Sequence, residues 1–207
     1  MRQRESSAHW SRLLVLTLSL ALFLSACGNG SASNSQNKTP SKVVTPTAAP
    51  VSALDMTTYK SKFFSISYPK DWQKVAVGDN VTFTSSQTGY LAIEAIPNPD
   101  ALTSVSTGVL GSVKGLQSTF PNHFSKATIP DSTTINGIKW SQSGLTGSAV
   151  TKGATHTIKA IVLGTNHPDR APGTKLFLVI YTADTSVFDQ LVAAAFEPML
   201  ASLKLTN

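Results

Sequence analysis

The chain has 207 residues, 17 basic and 11 acidic side chains, a net charge of +6 and one cysteine. One cysteine excludes an internal disulfide and a cysteine-based metal cluster. The basic residues are scattered rather than gathered in a stripe, so no nucleic-acid partner is expected.

The first segment is a targeting signal. Arg2, Arg4 and Arg12 precede an uncharged, leucine-rich run from Leu13 to Leu24. A run of about a dozen residues suits the apolar region of a signal peptide, whereas a spanning helix needs about 20. It ends in Leu24-Ser25-Ala26-Cys27. An aliphatic residue, two small residues and a cysteine resemble the bacterial lipobox. In that reading residues 1–26 are removed, the Cys27 thiol carries a diacylglyceryl group, and Cys27 becomes the first residue of the mature chain. The partner so implied is the membrane itself, on the outer face of a bacterial cell. Two acyl chains hold firmly where one binds only reversibly. Three basic residues and one acidic residue precede Cys27, which leaves a mature net charge of +4.

Residues 27–56 form the next segment. From Gly28 onward Ser, Thr, Asn, Ala, Pro and Gly dominate it. Such a composition cannot bury enough apolar surface to offset chain entropy, and the expectation is a disordered tether. Its root-mean-square reach is about 25–30 Å.

Residues 57–207 are the size of one domain. Phe64, Ile66 and Tyr68 alternate with serines, which predicts a strand ended by Pro69. Val81-Thr82-Phe83-Thr84-Ser85 and Tyr90–Ile96 predict two more. Glu94, by its alternation, is expected to face away from the apolar side. Leu102, Val105, Val109, Val113 and Leu116 then follow a helical period, with Asp100 as the expected cap. Gly108, Gly111 and Gly115 are expected to weaken that helix by about 1 kcal/mol each relative to alanine, or else to let it pack close to the sheet. Strands are expected again at Ser125–Pro130 and Gly137–Leu145, flanking the Asn136-Gly137 turn. His156–Gly164 and Lys175–Ala183 follow, the latter apolar at both parities. A strand apolar on both faces needs cover on both faces. A closing helix over about Ser186–Leu203 is expected to kink near Phe196, because of Pro198. The fold class is therefore α+β. It is read as an α/β/α sandwich on a central, mainly antiparallel sheet of six to seven strands, with helices on both faces.

Two stretches carry a family resemblance. Phe64-Ser65-Ile66-Ser67-Tyr68-Pro69, completed by Trp72, opens the domain, and Phe196-Glu197-Pro198-Met199-Leu200-Ala201-Ser202-Leu203 closes it. Over about Tyr59 to Leu205 the chain resembles the PsbP-like superfamily, which includes bacterial lipoproteins. The resemblance implies the α/β/α sandwich and carries no functional motif onto a residue of this chain.

Chemistry-bearing residues are sparse. His123, His156 and His167 lie far apart, and no metal-ligand spacing or cofactor motif is present. Trp72 and Trp140 read as core. One stretch stands out, Gly164–Lys175, because a hairpin needs only two to five residues where this joins two buried strands. It holds His167, Asp169 and Arg170, and Arg170 is the only arginine after Cys27. These three are the candidate partner-binding residues. The sequence thus points to a non-catalytic, lipid-anchored binding or scaffold domain that supports an envelope protein or takes a small-molecule ligand. The alternatives are a solute-binding or sensing lipoprotein beside a transporter, and third, a wall or glycan hydrolase.

Overall fold

A computed structural model describes residues 54–86, 88–119, 122–151 and 154–206. Cys27, the signal and the tether as far as residue 53 lie outside the described residues.

Among the described residues eleven strands are interrupted by helix only after the fifth and after the tenth. They are β1 (Met56–Lys60), β2 (Phe64–Pro69), β3 (Gln73–Val77), β4 (Asn80–Thr84), β5 (Tyr90–Pro97) and β6 (Asn122–Lys126). Then come β7 (Ser132–Ile135), β8 (Ile138–Thr151), β9 (Ala154–His167), β10 (Lys175–Asp184) and β11 (Lys204–Leu205). Helix α1 spans Val105–Thr119. Helix α2 (Phe188–Leu191) continues through a π-helical turn, Val192–Phe196, into α3 (Glu197–Ser202).

An eight-stranded antiparallel sheet runs β3-β4-β5-β10-β9-β8-β6, with β7 also paired to β8. A second, three-stranded sheet is ordered β1-β2-β11. The expected class therefore holds, but the strand count rises. Phe64–Pro69 belongs to the small sheet, while β3 and β8–β9 extend the large one.

The large sheet is covered on both faces, as the double apolar pattern of β10 requires. On one face Phe177, Val179, Leu163, Leu91 and Ile93 pack with Phe64 and Ile66 of β2 and with Phe196 and Met199 of the closing helix. On the other, Val162, Leu176, Leu178 and Ile180 pack with Val109 of α1. Trp72 and Trp140 are both buried.

The helix start differs from expectation. Asp100 sits in a 3-10 turn, Pro99–Ala101, at φ 55° and caps nothing. Helix α1 begins three residues after Leu102, which is left 82% exposed. Its cap is Ser104, whose Oγ accepts the Thr107 N–H at 3.1 Å. Of the three helix glycines only Gly108 meets the sheet, where a Cβ would collide with Leu176. Gly111 and Gly115 face open space. A second close approach is made from the sheet side. A Cβ at Gly164 in β9 would lie 2.6 Å from Val109 and 3.1 Å from Val105. The closing helix changes its winding at Val192–Phe196, where Pro198 cannot donate a hydrogen bond back to that turn.

Candidate functional site

One end of the large sheet carries both the β9–β10 loop and the connection from β5 to α1. There β9 ends at His167 opposite Lys175 and Pro97 lies beside Lys175. The β9–β10 loop is therefore Pro168–Thr174, seven residues rather than the expected twelve. Gly164 to His167 are strand, paired with β10 from Leu178 to Lys175. His167 is joined to Pro168 by a cis peptide bond.

The loop is braced from within. Thr174 Oγ1 donates to Pro168 O at 2.8 Å and accepts the Ala171 N–H at 2.7 Å. The β5–α1 connection braces it from the side. Asn98 N–H donates to Thr174 O at 2.9 Å, and Asp100 N–H to Ala171 O at 3.0 Å. Asn98 is the knot. Its Nδ2 donates to Thr103 O at 2.8 Å and to Asn166 Oδ1 at 2.9 Å, and its Oδ1 accepts the Thr103 N–H at 2.8 Å. Asn98 and Thr174 are both buried. Buried polar groups need such partners, so this network fixes the loop to the helix entry.

On that base the predicted residues are displayed unequally. His167 is half-buried, with its ring centroid 6.5 Å from that of Phe177. Asp169 and Arg170 are exposed. Arg170 has φ 43°, and Asp100 and Ala101 stand at 55° and 54° beside it in the braced connection. Left-handed conformations cost a non-glycine residue about 1–2 kcal/mol, and they persist where the surroundings dictate them. Among the described residues no ion pair engages Arg170 or Asp169. The neighbouring Lys175 is the opposite case. Its ammonium lies 3.9 Å from the Phe63 ring centroid and 3.7 Å from Asp79 Oδ2, and its side chain is 12% exposed. The lysine charge is thus spent locally, whereas the guanidinium is held out with its fork of donors unused.

The other polar residues are dispersed. His123 lies in β6. His156 Nδ1 is 3.5 Å from Asp184 Oδ2. Hydrogen bonds from the Ser186 hydroxyl and N–H, helped by His156, hold the Asp184 carboxyl below its ordinary range. Glu94 points away from Leu91, Ile93 and Ala95, as expected, but is half-buried. Both faces of β5 are apolar, so Glu94 falls on the α1 side, opposite Leu178, and burial raises its pKa. Burial, with the Glu94 charge second, pushes the Tyr90 phenol up to about 12. Among the described residues no group of three His, Cys, Asp or Glu side chains is placed to hold a metal ion.

A shallow cleft of about 330 Å³ opens between the β7–β8 hairpin and α3. Thr133, Asn136, Leu163, Tyr181 and Glu197 are among its lining residues. Asn136 bridges its two walls, donating to Ala201 O and to Leu203 O. Burial, with the Glu197 charge second, pushes the Tyr181 phenol up to about 12.

Sequence reasoning missed Asn98 and Thr174. The available signal was an asparagine between two prolines, Pro97-Asn98-Pro99, where its side chain can serve the backbone ahead of it.

No protein-family model matches the chain, and no curated protein matches it. Three solved structures are similar. LpqN, involved in cell envelope biogenesis of Mycobacterium tuberculosis, has 14% identity and a TM-score of 0.48, over 74% of this chain and 91% of that one. The Saccharomyces cerevisiae Ran-binding protein Mog1p has 7% identity and a TM-score of 0.49, over 74% and 96%. A Pseudomonas aeruginosa protein of unknown function, PA94, has 13% identity and a TM-score of 0.41, over 73% and 98%. At these values the likenesses assign this chain no activity and no partner. Among the described residues no helix is long and apolar enough to cross a membrane.

Proposed function

We propose that this chain is a non-catalytic binding domain, held through diacylglyceryl-Cys27 on the outer face of a bacterial cell membrane, that supports another envelope component through the Pro168–Thr174 loop. The observation that carries the binding role is Arg170, an unpaired, exposed guanidinium on a braced loop in a left-handed conformation. A loop that is ordered before binding loses little entropy when a partner docks, and arginine is enriched at binding hot spots. The anchor rests on Leu24-Ser25-Ala26-Cys27 after the apolar run.

The chain path agrees with this division of labour. Asp55 holds Lys70 through both main chain and side chain, and Met56 pairs with Pro69. Pro69 leads within four residues to Gln73, which lies at the Thr84 and Tyr90 end of the sheet. The described chain therefore enters the domain, at Asp55 and Met56, at the end remote from Pro168–Thr174. Metabolic labelling with a fatty acid tests the anchor: the wild-type chain should incorporate label and Cys27→Ser should not. An unlabelled wild-type chain would end the anchor reading.

The cleft supports a second reading, a solute-binding lipoprotein acting beside a transporter. Its lining includes one acid, Glu197, and no base, which suits a neutral or cationic small molecule. Native extraction followed by denaturing mass spectrometry distinguishes the readings. A stoichiometric small molecule released from the wild type but not from a Thr133→Trp variant of unchanged melting temperature, whose ring starts from the cleft wall, would favour the solute.

A further inference from the structure

Strand β3 is one edge of the large sheet, and all five of its residues are exposed. Edge strands are normally blunted by proline, by a bulge or by projecting charge. This one has no proline and no bulge. Its register with β4 is unbroken from Gln73–Thr84 to Val77–Asn80. Its one charge, Lys74, is drawn back over the Tyr59 ring, 5.1 Å from the centroid. It also carries two of the most exposed large apolar side chains of the described residues, Val75 at 53% and Val77 at 68%.

The hairpin fixes which main-chain groups are free. Gly78 and Asp79 form a two-residue turn, so Val77 and Asn80 exchange hydrogen bonds, as do Val75 with Thr82 and Gln73 with Thr84. The N–H and C=O groups of Lys74 and Ala76 therefore point away from β4, toward the open side. Lys74 and Ala76 stand opposite Phe83 and Val81, which belong to the core beneath the small sheet. The two valines consequently share the α1 face.

We propose that β3 pairs antiparallel with β3 of a second copy of this chain, about a two-fold axis at Ala76. That register sets Val75 opposite Val77 of the second copy, twice, and covers both exposed valines. It sets Lys74 opposite Gly78 of the second copy. The two Lys74 positions are then about 14 Å apart along the strands, from the rise of about 3.4 Å per residue, and beyond a Debye length of about 10 Å. A dyad at Lys74 would oppose the two ammonium groups. A dyad at Val75 would leave Val77 against Gln73. Of these three registers only the dyad at Ala76 pairs both exposed valines with valines and keeps the lysines apart, and this self-complementarity favours a second copy over a foreign segment.

The test uses the full chain in membranes. Val75→Cys and Val77→Cys chains are co-expressed, mildly oxidised and run on a non-reducing gel. The two positions oppose each other without a hydrogen bond, with Cα atoms about 4.5 Å apart, which a disulfide spans. The mixture should give a dimer several-fold above either variant alone. Adding Ala76→Pro to both chains should cut that yield about tenfold, because proline removes an N–H that faces only the open edge. A mixture no better than the single variants overturns the proposal. So does a yield unchanged by Ala76→Pro in a chain that keeps its melting temperature, or a linked band that contains a different protein. Should Ala76→Pro not fold, Val77→Lys takes its place, read by sedimentation of the detergent-extracted chain. Dimer should become monomer, and an unchanged dimer fraction refutes the pairing.

Discussion

Replacing Asn98 with alanine should loosen the loop without touching any residue displayed on it. Asn98→Ala removes three side-chain hydrogen bonds, two donated to Thr103 O and Asn166 Oδ1 and one accepted from Thr103 N–H. Asn98 is 3% exposed, so water does not readily replace them. At a net contribution near 1 kcal/mol for each hydrogen bond, the loss is about 3 kcal/mol. For a domain of about 150 residues this is a fall in melting temperature of roughly 6–12 °C. The main-chain bond from Asn98 N–H to Thr174 O survives the substitution, so the hairpin should still form. Differential scanning calorimetry gives the stability. Amide hydrogen exchange gives the location, and protection should drop first at Ala171, Thr174 and Thr103. A fall of less than about 2 °C, or loss of protection spread evenly over the domain, would refute the view that Asn98 ties the loop to the helix entry.

Two glycines in contact with or within α1 should respond oppositely. Gly111→Ala meets no atom within 4 Å and should stabilise by about 1 kcal/mol, whereas Gly164→Ala drives a Cβ against Val109 and should cost about 1–3 kcal/mol; urea unfolding reads both. Glu94 should make stability pH-dependent. Its folded-state pKa is raised from 4.5 by burial, so the folded state favours the neutral acid, and that contribution is complete below the unfolded value and lost as pH rises through the folded one. Glu94→Gln should therefore raise the urea midpoint at pH 8 and leave it nearly unchanged at pH 4, and equal gains at both would refute burial as the cause.

The domain's regular elements were legible where side chains alternate against a core. Phe64–Pro69, Tyr90–Ile96 and the closing helix fall where their periods place them. Strand β3 was not legible. Gln73-Lys74-Val75-Ala76-Val77 packs no face against the core, so burial left no imprint on its residues. Of the strand expected at Ser125–Pro130 only Ser125 and Lys126 are strand, as the end of β6, because β8 is long enough to pair with β6 near one end and with β7, Ser132–Ile135, near the other. Pro130 and the residues before it make the passage between them. The loop was read too long for a related reason. Gly164 and Asn166 look like loop residues, yet Gly164 admits the α1 valines and Asn166 receives the Asn98 amide. Both are strand positions whose residue type is set by a neighbour in space. Asp100 failed as a cap because the chain spends it in a left-handed turn and gives the cap to Ser104. His167, Asp169 and Arg170 were legible as a group. Their division into a half-buried ring and an exposed acid and guanidinium was not, since the network beneath them is built from Asn98 and Thr174.

The central claim is that the loop engages a partner through Arg170 while the rest of the domain holds it in place. The direct measurement is quantitative recovery of envelope components co-purified with the full lipidated chain, wild type against Arg170→Ala, with melting temperatures measured on the same preparations. Arg170 makes no ion pair among the described residues, and alanine can occupy the same backbone conformation at a similar cost. Stability should therefore stay within about 0.5 kcal/mol. The recovered partner should fall at least about tenfold, the size of effect expected for loss of an arginine worth 1.4 kcal/mol or more at an interface. Equal recovery of every component by a stably folded Arg170→Ala chain would contradict the account.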